Sequence, residues 1–148
     1  MSHYPGEIIK QYIIQGPTGG SVVTLPTSET TMVNSDVSIL IESSEEIVQL
    51  EVNLQISTSS RDELVSVKFF RDTTELFETI SGIAPAAFTT GTSLYTSWLD
   101  RPGPGTFSYS VKTYSIGSNL SLSDTWVKYT RILSPISITT LTTNNFTF

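Results

Sequence analysis

The sequence contains no cysteine, and its only histidine is His3. Without thiols there are no disulfides, no thiolate nucleophile and no thiolate metal site. A Ser-His-Asp or Cys-His arrangement needs a histidine placed by the fold, and one three residues from a chain end is poorly placed for that. Zinc coordination by nitrogen and sulfur ligands is excluded for the same reason. Charge is also scarce: charged residues make up 15% of the chain, against roughly one quarter in ordinary globular domains. Four lysines and four arginines are scattered along a chain of net charge −6. No basic stripe of the kind that phosphate binding requires is present, so nucleic acid is not an expected partner. No apolar run approaches the roughly 20 residues of a membrane helix. The first residues carry no basic segment ahead of a long apolar run, so no signal peptide is expected.

What the sequence has instead is hydroxyl and β-branched side chains. Serine and threonine number 22 each, and 15 residues are aromatic. That aromatic and β-branched content separates it from disordered chains. A surface rich in hydroxyls and poor in charge suits a particle packed against copies of itself.

Helical periodicity is nearly absent, and alternation is pervasive. Val48, Leu50, Val52, Leu54 and Ile56 alternate with Gln49, Glu51, Asn53, Gln55 and Ser57. This pattern predicts a long strand with one wet face. Val37, Ile39 and Ile41 repeat the pattern upstream, and the short link 43–46 predicts a hairpin between the two. Further strands are predicted at 64–71, 75–80, 93–99, 106–114, 125–133 and 136–141. Pro102, Gly103, Pro104 and Gly105 break the chain between two of them, and residues 117–119 form another predicted turn. The predicted core is Val37, Ile39, Ile41, the five residues of the long strand, Val65, Val67, Phe69, Phe107, Tyr109 and Val111. Eight or more short strands predict an all-β, antiparallel two-sheet jelly-roll sandwich with an N-terminal arm.

The arm is residues 7–15. Ile8, Ile9, Tyr12, Ile13 and Ile14 make both strand faces apolar. Gly16, Pro17, Gly19 and Gly20 then form a hinge. The expected division is an arm and hinge over 1–20 and a jelly-roll domain over 21–148. Two readings of the arm stand: a first strand within its own sheet, or a strand that docks on a neighbouring subunit.

No other motif carries chemistry. Glu45, Glu46, Asp62, Glu63, Asp100 and Asp124 read as solvated acids in turns or at strand ends. The Gly16–Gly20 segment lacks the Lys-Ser/Thr ending of a phosphate loop. Two Asn-x-Ser/Thr triplets, at Asn119 and Asn145, are of the kind that arises by chance in so hydroxyl-rich a chain. Tyr95, Trp98, Tyr114, Trp126 and Tyr129 admit three readings: core and cross-strand pairing, a subunit interface, or a carbohydrate platform. The expected site list is therefore an assembly arm, a hinge and an aromatic interface, with no catalytic residue, no metal site and no cofactor. The chain is not expected to be an enzyme or to insert in a membrane.

Residues 98–141 carry a resemblance. Asp100-x-Pro102-x-x-Gly105-Thr106-x-x-Tyr109, a Gly-Ser turn, and Thr125-Trp126-Val127-Lys128-Tyr129 leading to a last Ile/Leu-rich strand resemble the trimeric jelly rolls of the complement-globular-head and tumour-necrosis-factor type. Such modules occur at phage fibre tips and on bacterial spore surfaces. The Gly16-Pro17-Thr18-Gly19-Gly20 segment behind an arm is similar to that of exosporium and endospore-appendage proteins. The chain departs from appendage subunits that carry N-terminal cysteines, since it has none. The resemblance implies copies of the chain itself as partners, in a trimer or a filament. It also implies a place on the surface of a spore or cell, or in a virion, with a surface glycan or anchoring protein as a further partner class. The expected function is a self-assembling subunit of an extracellular fibre or appendage. The alternative is a phage or virus tail-fibre module that recognises a host glycan or protein.

Overall fold

A computed structural model describes residues 6–15, 23–24, 30–31, 35–58, 63–83, 92–115 and 120–133. The described residues form ten strands: β1 (Ile8–Gln15), β2 (Val23–Thr24), β3 (Thr30–Thr31), β4 (Val37–Ile41), β5 (Glu46–Thr58), β6 (Glu63–Arg71), β7 (Thr74–Ile83), β8 (Thr92–Asp100), β9 (Gly105–Ser115) and β10 (Leu120–Leu133). They build two antiparallel sheets. The first has the order β1-β10-β5-β8, with β2 also on β10; the second has the order β3-β9-β6-β7, with β4 also on β9.

Strand order identifies the jelly roll. Among the eight longer strands, the first and last of the chain, β1 and β10, are neighbours in one sheet, while β4 and β9 are neighbours in the other. Each further pair nests inside these, so the chain crosses between sheets at nearly every connection. That nesting is the two-Greek-key pattern of a double-sheet roll.

Alternation sets the core. Ile39, Ile41, Val48, Leu50, Val52, Leu54, Ile56, Val65, Val67, Phe69, Tyr109 and Val111 are buried, and Val37 and Phe107 pack against them half-buried. The opposite set, Gln49, Glu51, Asn53 and Gln55, lies on the outer face. Leu122, Val127 and Tyr129 of β10 complete the cluster.

Two local devices keep this register. In β10 the pairing with β5 shifts between Ser123 and Trp126, where Asp124 has φ 45°. Without this bulge Leu122 and Trp126, four residues apart, would share a face; with it Leu122 points inward and Trp126 outward. Between β8 and β9, Gly103 has φ 83° and Gly105 φ 143°, and a Cβ on Gly105 would stand 3.1 Å from the Phe107 ring. The positive φ favours glycine at both positions, and at Gly105 a side chain would in addition press on the Phe107 ring.

The predicted β4–β5 hairpin does not form. β4 pairs with β9 and β5 with β10 and β8, so residues 42–45 arch from one sheet to the other. Alternation toward the core is the same for a hairpin and for an arch, and the arch places Ile41 and Val48 on opposite sheets of one buried cluster. β6 and β7 pair directly as a hairpin about Asp72 and Thr73. Residues 16–20, 117–119 and 136–141, predicted as hinge, turn and last strand, lie outside the described residues.

Candidate functional site

Three places concentrate chemistry, and each follows from where the strands put their side chains.

The first closes the core at one end. Residues directly opposite on paired strands share a face. Val48 pairs with Arg131 on one side and Asp100 on the other, so both charged groups point inward. Asp100 takes Arg71 Nη1 on both carboxylate oxygens at 2.7 Å and Tyr109 Oη at 2.7 Å. Arg71 and Tyr109 belong to the second sheet and Asp100 to the first, so this cluster ties the layers together. Beside it Glu46, 2% exposed, accepts the backbone N–H groups of Glu42 and Ser43 at 2.8 and 2.9 Å. Its other oxygen accepts Arg131 Nε at 2.8 Å and Nη2 at 2.7 Å, and Arg131 also reaches Glu42 at 3.1 Å. Glu46 and Asp100 are therefore not the solvated acids expected from the sequence. Glu46 organises the arch, and Asp100 joins the sheets.

Two tyrosines are locked by the same burial. Tyr109 donates to Asp100, and Tyr129 donates to the Ser35 carbonyl at 2.7 Å. Burial pushes both phenols far above the ordinary value of 10.0, with the Asp100 bond and charge adding to Tyr109 and the Asp36 charge adding to Tyr129. A raised folded-state value means the neutral phenol is the form compatible with the fold. This contribution to stability is complete below the ordinary tyrosine range and is lost as pH rises beyond it. In an alkaline titration followed by tyrosinate absorbance and circular dichroism, Tyr109 and Tyr129 should ionise only together with loss of the β signal. Ionisation of all six tyrosines with an unchanged β signal would contradict this.

The second place is the outer face of the first sheet. Trp126, Asn53 and Tyr95 stand in one row across β10, β5 and β8. The Tyr95 and Trp126 rings are 6.2 Å apart and tilted by 55°. Tyr95 donates its hydroxyl to Glu51 at 2.5 Å, which raises its pKa, and Glu51 pairs with Lys128 at 3.5 Å. Lys128 in turn lies 5.4 Å from the Trp126 ring centre. Ser93 donates to Gln55 at 2.7 Å one row away.

The third place is the β1 edge. β1 pairs with β10 of its own chain over seven residue pairs, with an irregularity between Ile8 and Lys10. Tyr12 and Ile14 turn inward and pack on the core, while Ile8 and Ile13 are 55% and 59% exposed. Ile9 is half-buried. In the single chain the arm segment thus lies in its own sheet, along its edge. With the irregularity after Ile8, Ile9 and Tyr12 are both half-buried although they stand three residues apart.

The five aromatics grouped in the sequence do not form one surface. Tyr95 and Trp126 share the outer face. Trp98 points inward at the open side of the sandwich, stacked on Phe77 of the other sheet at 4.7 Å. Tyr114 lies half-buried opposite Ser66 on the second sheet. Tyr129 is fully buried within its own chain, 6.0 Å from Tyr109 and across from Tyr12 of β1. The parity of the strand separates it from Trp126: the two are three residues apart and face opposite ways. The roles of Arg71, Glu46 and Arg131 went unread because nothing in a local pattern marks which polar residue ends a core row.

Among the described residues no group of three or more His, Asp or Glu could hold a metal ion, and no helix is long and apolar enough to cross a membrane.

No family model matches the chain, and no curated protein matches it. Solved structures with a similar course include a Bacillus endospore appendage described as a disulfide-linked pilus, at 12% identity and TM-score 0.41, covering 90% of this chain and 96% of that one. A xylan-binding CBM22 domain from Paenibacillus barcinonensis Xyn10C matches at 10% identity and TM-score 0.40, covering 90% and 99%. The infectious bursal disease virus Gx strain matches at 12% identity and TM-score 0.36, covering 86% of this chain and 32% of that one. The jelly-roll assignment rests on the strand order, not on these likenesses.

Proposed function

We propose that the chain is a self-assembling structural subunit of an extracellular fibre or appendage on a spore or cell surface, and that β1 of one subunit occupies the β10 slot of the next. One observation carries this reading: β1 is an edge strand whose pairing among the described residues is with β10 alone, and residues 16–22 separate it from β2. A strand in that position can be exchanged between copies with the same contacts on both sides of the equilibrium. Main-chain pairing fixes its direction, and the inward side chains Tyr12 and Ile14 fix its register. The exposed Ile8 and Ile13 add apolar surface that a neighbour can cover, at about 25 cal/mol per Å². Such a contact is heterologous, so it extends into a filament unless its rotation closes, as in a trimer. A fibre-tip module that recognises a host surface would instead give discrete trimers.

The test removes residues 1–15. The truncated chain should keep its β circular dichroism, with a lower melting temperature because the β10 edge is bared. It should form no fibres in negative stain, and it should bind a synthetic peptide of residues 6–15. Normal fibres from the truncated chain, or a truncated chain with no fold, would overturn the reading.

A further inference from the structure

We infer that the outer face of the first sheet, around Tyr95, Asn53 and Trp126, is a binding platform for a neutral oligosaccharide chain. The inference is independent of the β1 slot, which lies at the edge of that sheet.

The chemistry of the face selects the ligand. Aromatic rings carry a negative face that attracts polarised C–H groups, the groups on the flat side of a pyranose ring. Tyr95, 51% exposed, and Trp126 supply two such rings 6.2 Å apart. Between them stands Asn53, on the central strand β5, with Gln55 two residues to one side and Gln49 four residues to the other on the same face, beyond Glu51. An amide side chain both donates and accepts, which matches the paired donor and acceptor character of sugar hydroxyls. A carboxylate only accepts and an ammonium only donates, so neither is as good a match.

Charge narrows the class. The charged groups within this row set, Glu51 and Lys128, are paired with each other at 3.5 Å. The platform therefore offers no uncompensated charge to a uronate or sulfate. The same pair holds the rings: Glu51 accepts the Tyr95 hydroxyl, and Lys128 lies beside Trp126. The rings are thus tied through one network before any ligand arrives, which lowers the entropic cost of binding. The row of Tyr95, Asn53 and Trp126 continues to Gln15 on the β1 strand, so it crosses four strands and an extended chain fits it better than a compact headgroup.

The experiment titrates the full chain with cellohexaose, xylohexaose and laminarihexaose, and with a heparin-derived oligosaccharide, by calorimetry. At least one neutral hexaose should bind. Tyr95→Ala and Asn53→Ala should each weaken it at least tenfold, equivalent to about 1.4 kcal/mol, with the β circular dichroism unchanged. Trp98→Ala, which alters the stack on the inner side, should leave the affinity within twofold. No binding of any neutral hexaose would overturn the inference. So would a preference for the heparin-derived probe, or an affinity untouched by Tyr95→Ala and Asn53→Ala.

Discussion

Replacing Glu46 with alanine should lower the unfolding free energy by about 3–5 kcal/mol, the usual cost of removing one partner from a buried ion pair. The magnitude follows from what remains. Among the described residues Arg131, with 7% of its side chain exposed, keeps Glu42 as its acidic partner, whose side chain is 67% exposed. The backbone N–H groups of Glu42 and Ser43 lose their acceptor as well. For a domain of this size that corresponds to a fall in melting temperature of roughly 6–20 °C. Glu45→Ala, one residue away, should change stability by no more than about 0.5 kcal/mol. Adding Arg131→Met to Glu46→Ala should recover part of the loss, because the second change removes the unpaired charge. Equal effects of Glu45→Ala and Glu46→Ala in chemical denaturation would show that the arch does not depend on this carboxylate.

An oxidised Ile13→Cys/Lys128→Cys double variant should lose assembly completely. The two residues are cross-strand partners in the β1–β10 pairing. Antiparallel partners have Cα atoms about 4.5–5.5 Å apart, within the roughly 4.4–6.8 Å that a disulfide spans. The natural chain has no cysteine to interfere. Oxidised as a dilute monomer, the variant has β1 tied into its own sheet and can neither donate its strand nor accept another. Reduction should restore fibres. If the locked chain assembles as well as the parent, subunits join without strand exchange.

Much of this fold was legible from period-two alternation. The long strand β5 shows why: its apolar and polar sets are cleanly separated, and burial follows that division from Val48 to Ile56. Alternation reports which face is wet, not which strand lies alongside. Hence β4 and β5 read as a hairpin, although the chain arches between sheets at Glu42–Glu45. The candidate site was less legible. Tyr95 and Trp126 belong to strands far apart in sequence, and the bulge at Asp124 decides that Trp126 faces outward. Tyr129 was separable from Trp126 by counting three residues along a strand, yet as an aromatic it reads equally as core or interface. Glu46 and Asp100 look like any turn acid, because their burial depends on Arg131 and Arg71 arriving from other strands.

The central claim is that β1 passes from one subunit to the next. Mixing two single variants, Ile13→Cys and Lys128→Cys, under assembly conditions and then oxidising tests it most directly. Strand exchange predicts disulfide-linked pairs containing one chain of each variant, formed in the fibres and absent from either variant oxidised alone. Fibres that yield no mixed pair, in a preparation where the double variant cross-links readily within one chain, would contradict the claim.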